Sequence, residues 1–124
     1  MTSLLNRLIA KAARHLYLRR HQKAWGEEPQ LAVSVSNLCV ELEGRQVRLR
    51  MYHGQSDKPM VIYAHGGGFV IGSLETHDRF CRALSVKSGC SLVSIDYRLA
   101  PEYTFPAAHD DCLEATGWVI ENLE

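Results

Sequence analysis

A five-residue apolar run, Met60-Val61-Ile62-Tyr63-Ala64, ends in His65 and then three glycines, Gly66, Gly67 and Gly68. No other stretch narrows the fold as far. An unbroken apolar run this short reads as a strand buried on both faces. Glycine directly after it marks a backbone that bends tightly or lets another group come very close. Three in a row at a strand end suggest main-chain N–H groups turned toward a ligand oxygen. The competing reading is a flexible glycine loop, and the residues alone leave the two open.

The rest of the chain supplies a setting for that strand. Residues 3–23 carry Leu4, Leu5, Leu8, Ile9, Ala12, Ala13 and Leu16 at three- and four-residue steps, the spacing of an amphipathic helix, with Thr2 or Ser3 as its cap. Gly26 to Pro29 breaks the pattern and reads as a linker, dividing a helical unit (1–25) from a main body (30–124). Val33 and Val35 alternate, then Leu38, Val40 and Leu42 alternate in the other phase, which suggests a bulge near Ser36-Asn37. Glu43-Gly44 is a turn signal, and Val47, Leu49 and Met51 alternate with Arg48, Arg50 and Tyr52 as a hairpin partner. After the glycines the pattern predicts a helix from Thr76 or His77 to Ser88, closed by Gly89, with Phe80, Leu84 and Cys81 inward. Cys90 to Ile95 reads as a second buried strand. A last helix over 107–122 follows Pro106, with Asp110 and Asp111 near its positive end and Ala108, Cys112, Ala115, Val119 and Leu123 on its apolar side. Hairpin, then strand–helix–strand–helix, is an α/β pattern that implies a parallel sheet with crossover helices.

Composition excludes several function classes. Fourteen basic residues balance fourteen acidic ones across 124 residues, so no global field favours nucleic acid. The balance is local, however: residues 1–24 hold six basic residues and no acid, leaving eight basic against fourteen acidic residues beyond them. For the basic helix three readings compete: a helix packed on the main body, a membrane-surface helix, and a transit peptide. No apolar run is long enough to cross a membrane. Cys39, Cys81, Cys90 and Cys112 form no C-x-x-C pair, and the six histidines show no H-E-x-x-H spacing. No metal or cofactor is therefore expected, and the cysteines read as buried reduced thiols of a cytoplasmic protein.

Two stretches together resemble one known family. The run from Val61 through His65-Gly66-Gly67-Gly68-Phe69 to Asp78, followed by Asp96-Tyr97-Arg98-Leu99-Ala100-Pro101-Glu102, Phe105-Pro106-Ala107-Ala108 and Asp111, is similar to the hormone-sensitive-lipase-like esterases of the α/β-hydrolase fold, which include bacterial acetyl esterases. The likeness covers about residues 58–121. It implies the N-terminal part of an α/β-hydrolase sheet, ester hydrolysis with a preference for short acyl groups, and a small-molecule ester as partner. Carried over by position, Gly66, Gly67 and Gly68 would form the oxyanion-hole loop, Gly67 and Gly68 foremost as donors, with His65 bracing it. Asp96, Tyr97, Arg98 and Glu102 would form a polar scaffold beneath. Phe69, His77 and Asp78 would line the substrate mouth, although His77 and Asp78 read equally well as helix caps. Leu4, Leu5, Leu8 and Ile9 would face protein, as part of a cap over the cleft. The resemblance also implies that at least one of Ala100-Pro101 and Phe105-Pro106 is cis.

The family nucleophile is a serine within G-x-S-x-G, and that motif is absent; Gly54-Gln55-Ser56-Asp57-Lys58 comes nearest and ends in lysine. The acid and histidine of the triad follow the serine in this fold. The expectation is therefore an N-terminal portion that is inactive alone and needs a C-terminal portion of the same fold. A shortened chain, a disrupted gene and one half of a split enzyme would look alike. The alternative function is a non-catalytic ligand-binding or interaction remnant of the fold.

Overall fold

The computed structural model describes residues 3–24 and 33–123. The Gly26–Pro29 linker and the Thr2 cap lie outside them. Helix α1 (Leu4–Ala24) is followed by β1 (Val35–Leu42), β2 (Arg45–Tyr52), β3 (Met60–Ala64), α2 (Asp78–Ser88), β4 (Ser91–Asp96) and α3 (Ala107–Asn122). The four strands form one sheet in the order β1-β2-β4-β3. β1 and β2 are an antiparallel hairpin, β2 runs antiparallel to β4, and β3 runs parallel to β4 with Ala64 opposite Ile95.

Alternation along the central strands sends side chains to two cores. Val40, Val47, Leu49, Val93 and Ile95 pack with Ala115 and Val119 of α3. Tyr52 and Leu92 pack on the other face with Cys81 of α2, flanked by Val33, Val35, Val61 and Tyr63. β3 serves both: Met60 and Ile62 turn toward α3, Val61 and Tyr63 toward α2. That double coverage is why the strand reads as an unbroken apolar run.

The bulge expected near Ser36-Asn37 is absent. Register is continuous from Val35 opposite Tyr52 to Leu42 opposite Arg45. The phase change is real but has another cause. Val33 and Val35 meet the α2 face, whereas Leu38 and Leu42 meet the α3 face, so the covered side of β1 changes along its length.

α2 ends at Gly89, which is left-handed at φ 74° and donates its N–H to the Ser85 carbonyl at 2.9 Å. Its fully buried residues are Cys81 and Ser85, with Phe80 and Leu84 half-buried beside them. In α3 the inward residues include Asp111 as well as Ala115 and Val119. The peptide bonds before Pro101 and Pro106 are both cis.

α1 begins at Ser3, whose hydroxyl accepts the Asn6 N–H at 3.1 Å. Its packing face differs from the expected one. Leu4, Leu5, Leu8 and Ile9 are 54–74% exposed, whereas Ala10 is buried and Arg14, Tyr17, Leu18 and His21 are half-buried. These five recur at helical spacing, so the contact stripe is rotated away from the leucines. The cause is polar anchoring: Arg14 bonds to Glu102, and the Tyr17 and His21 rings pack on His77. No helix among the described residues is long and apolar enough to cross a membrane. Among the described residues all four cysteines are free, but only Cys81 is fully buried; Cys39 is exposed.

Candidate functional site

β3 delivers the chain to the carboxyl end of the parallel pair, where it turns sharply. Val70 N–H and Ile71 N–H both fold back to the Gly67 carbonyl, at 3.2 and 3.1 Å. The two residues at the centre of that turn, Gly68 and Phe69, have φ of 61° and 65°. Positive φ at both central positions is the type I′ pattern. For Phe69 this is a costly conformation, and such outliers collect at functional sites. Gly67, at φ 140°, has no room for a side chain: a Cβ there would strike the Ile71 carbonyl. Gly72, at φ 101°, is equally restricted, because a Cβ would run into the His65 ring and the Gly66 carbonyl.

The turn leaves donors over. Among the described residues the main-chain N–H groups of Gly67, Gly68 and Phe69 have no acceptor. Adjacent unpaired N–H groups at a tight turn can hold an anionic oxygen. An apolar cavity of about 800 Å³ opens at the two ends of this loop, His65 and Phe69, and is bordered also by Ala64, Tyr97, Tyr103 and Phe105.

His65 supports the loop from behind. It is buried, and its Nδ1–H donates to the Gly66 carbonyl at 2.9 Å. Its ring lies between Tyr97, with centroids 4.3 Å apart, and His77, at 5.3 Å. Burial lowers the His65 pKa against the smaller opposing effects of Gly66 and Asp96, which favours the neutral ring. His77 is held down further, to about 4, by burial and by the neighbouring His65 and His21 rings. Its ring is buried against those of His65, Tyr63 and His21. Asp78 is also turned away. Its carboxylate accepts from the Tyr52 hydroxyl at 2.7 Å, Arg82 Nε at 2.7 Å and Arg50 Nη1 at 3.2 Å, all on the α2 face. Phe69 alone of these three is on the open side, and it is exposed.

The segment after β4 is held residue by residue. Asp96 pairs with Arg48 across the sheet at 2.6 Å. The Tyr97 hydroxyl donates to the His65 carbonyl at 2.5 Å. Arg98 meets Asp111 through its main-chain N–H at 2.8 Å and its guanidinium at 2.8 Å. Glu102 pairs with Arg14 at 2.7 Å. Two contributors escape a reading of the sequence. Asp111, fully buried, also takes Arg45 Nε at 2.6 Å, so one carboxylate ties β2, the post-β4 segment and α3 together. Burial pushes its pKa up, but the bonds from Arg98 and Arg45 outweigh this and hold it below the ordinary range. Arg14 is the second. Asp111 belongs to the resembling motif but carries no role there, and Arg14 is marked by no local pattern.

A glycine turn at the end of a parallel strand, braced by the following strand's exit loop, belongs to a defined class. Residues 61–124 match the model of a family with the alpha/beta hydrolase fold, and the chain belongs to that family, in its hormone-sensitive-lipase-like branch. It is 40% identical over 88 residues to an arylesterase of Saccharolobus solfataricus, covering 69% of this chain and 29% of that protein. It is 37% identical over 109 residues to the carboxylic ester hydrolase LipN of Mycobacterium tuberculosis, covering 84% of this chain and 29% of LipN. Among solved structures it superposes on an esterase of Pyrobaculum calidifontis with a TM-score of 0.80 and 40% identity, over 91% of this chain and 38% of that one. The chain thus spans under a third of the length of these curated relatives.

Proposed function

We propose that this chain is the N-terminal portion of a serine carboxylesterase acting on short-acyl esters, and that its part in the reaction is to hold the carbonyl oxygen. The observation that carries the reading is the Gly67–Val70 turn, which leaves the N–H groups of Gly67, Gly68 and Phe69 without acceptors among the described residues, in a loop whose His65 and Phe69 border an apolar cavity. When a serine attacks an ester, negative charge develops on the carbonyl oxygen. Preorganised donors hold that charge more strongly in the transition state than in the ground state. Gly67 and Gly68 are the foremost donors, Gly66 and His65 set the loop's entry, and Phe69 borders the acyl group. Removing one such donor typically costs about 3 kcal/mol of transition-state stabilisation. The serine, acid and histidine come from a C-terminal portion of the same fold, because a hole without an activated nucleophile turns nothing over. The free thiols suit a reducing compartment, and the cytoplasm is the proposed location.

The test is hydrolysis of p-nitrophenyl acetate by the purified chain, alone and mixed with the separately produced C-terminal portion of the Saccharolobus arylesterase. The expected result is background hydrolysis by the chain alone, turnover by the mixture, and its loss on Gly67→Val. A mixture that stays inactive, or turnover that survives the substitution, overturns the proposal.

A further inference from the structure

Three segments distant in sequence meet at one guanidinium. Arg14 of α1, three-quarters covered, donates from Nη1 and Nη2 to the two carboxylate oxygens of Glu102, at 3.1 and 2.7 Å. Nη2 also donates to the Ala100 carbonyl at 2.8 Å, and Nε donates to the Val70 carbonyl at 2.7 Å. The fork is planar and its donors are fixed relative to one another, so anchoring one side on Glu102 aims the other.

The aimed bond falls at a sensitive place. The peptide unit joining Phe69 and Val70 gives its N–H to the Gly67 carbonyl, and its own carbonyl takes the Ala100 N–H at 2.8 Å. The next unit gives the Ile71 N–H to that same Gly67 carbonyl, and its carbonyl takes Arg14 Nε. Two successive peptide planes are thereby held at both ends. The units just before them carry the N–H groups of Gly67, Gly68 and Phe69, which have no acceptor among the described residues. A rotation of the Val70–Ile71 plane would release the Ile71 N–H from the Gly67 carbonyl, one of the two bonds holding that carbonyl, and so let those donors shift.

We infer that Arg14 is a positioning residue for the oxyanion donors: through the Val70 carbonyl, helix α1 sets the orientation of the glycine turn rather than only covering it. This rests on the oxyanion reading of the loop. The Arg14 side chain does not reach the reacting atoms, and its effect passes through the main chain of Val70.

Two measurements test it. On the full 124-residue chain, amide hydrogen exchange is followed in Arg14→Gln and in Leu18→Ala, the second loosening α1 without touching Val70. Arg14→Gln is expected to speed exchange of the Val70 and Ile71 amides by about tenfold, and Leu18→Ala to leave them unchanged. In the mixture with the arylesterase portion, Arg14→Gln is expected to lower kcat by about tenfold or more with KM little altered, and Arg14→Lys, which lacks the fork, not to restore it. Exchange that is unchanged, or that rises equally in Leu18→Ala, overturns the inference whatever the turnover. So does a loosened loop with undiminished kcat in a mixture that Gly67→Val inactivates, because the oxyanion reading then stands while the role of Arg14 falls. Turnover surviving Gly67→Val removes the oxyanion reading and this inference with it.

Discussion

The Tyr97 hydroxyl donates to the main-chain carbonyl of His65 at 2.5 Å while the two rings stack with centroids 4.3 Å apart and planes 17° from parallel. One residue past the end of β4 is thus bonded to the first residue past the end of β3. The pair closes the carboxyl edge of the parallel ladder and sets where the glycine turn begins.

Tyr97→Phe keeps the stack and removes only the O–H. The His65 carbonyl, in a buried residue, then loses its donor. Leaving a buried acceptor unpaired costs about 1–3 kcal/mol. The urea midpoint is expected to fall by the corresponding amount with the slope unchanged. An unmoved midpoint would show that the hydroxyl is not what secures the turn.

The three glycines are not equivalent. A Cβ at Gly67 collides with the Ile71 carbonyl, whereas one at Gly68 meets open space and faces only the cost of its positive φ. Gly67→Ala is therefore expected to displace the donors and lower kcat by at least about a hundredfold. Gly68→Ala is expected to lose about 1–2 kcal/mol of stability through its left-handed backbone, with the smaller loss in kcat. Steady-state kinetics of the two variants in the active mixture checks the order. A reversed order would place the critical contact elsewhere than at Ile71.

Stability is expected to fall in two stages as pH is lowered. His77, at about 4 in the fold, stays neutral where the unfolded chain takes up a proton near its ordinary 6.5, and burial shifts His65 in the same direction. The unfolded state binds more protons in that interval, so stability is complete above about 6.5 and declines toward about 4. Asp111 has its folded pKa lowered, so its contribution is complete above the ordinary carboxylate range and is lost as pH falls through the depressed value. His77→Gln should flatten the first stage and leave the second. Asp111→Ala should cost about 3 kcal/mol at neutral pH, since Arg45 and Arg98 lose a buried partner. Denaturant titrations from pH 8 to 3 separate the stages, and a single decline confined below pH 4 would contradict the histidine assignment.

What the sequence reveals here is punctuation and periodicity. Gly89 and Pro106 mark helix ends because their backbones suit those positions whatever packs nearby. The two buried strands are legible because double coverage demands an unbroken apolar run. The orientation of α1 is not legible, since the apolar spacing points to Leu4, Leu5, Leu8 and Ile9 while the docking is decided by Arg14, whose partners lie 56 to 88 residues away. Asp111 is visible as part of the resembling motif, but its role hides for the same reason. By position it is a carboxylate near a helix start, and only the fold brings Arg45 and Arg98 onto it. Long-range ion pairs have no period. The motif around Gly66, Gly67 and Gly68 marks a loop, but which N–H groups remain unpaired follows from where Val70 and Ile71 turn back, and that is a matter of backbone angles.

The chain is expected to associate in solution. β3 has a strand partner only in β4 among the described residues, so its other side presents unpaired main-chain groups along an apolar strand. Beside that edge, Leu113 and Ile120 of α3 are 64% and 63% exposed, and Phe105 is 89% exposed. A flat apolar edge flanked by apolar side chains is a template for pairing with another copy. Net stability is only about 5–15 kcal/mol for an intact domain, so surface left open on this scale weighs heavily on the monomer. In dilute buffer, light scattering is expected to give a mass above 14.0 kDa that rises with concentration. Placing opposed charges on the open helix face, Leu113→Glu with Ile120→Lys, should reduce association with little effect on the fold, because both side chains are exposed in the monomer. A monodisperse 14.0 kDa species at every concentration would sink the prediction. Association untouched by the double substitution would move the contact away from the β3–α3 face.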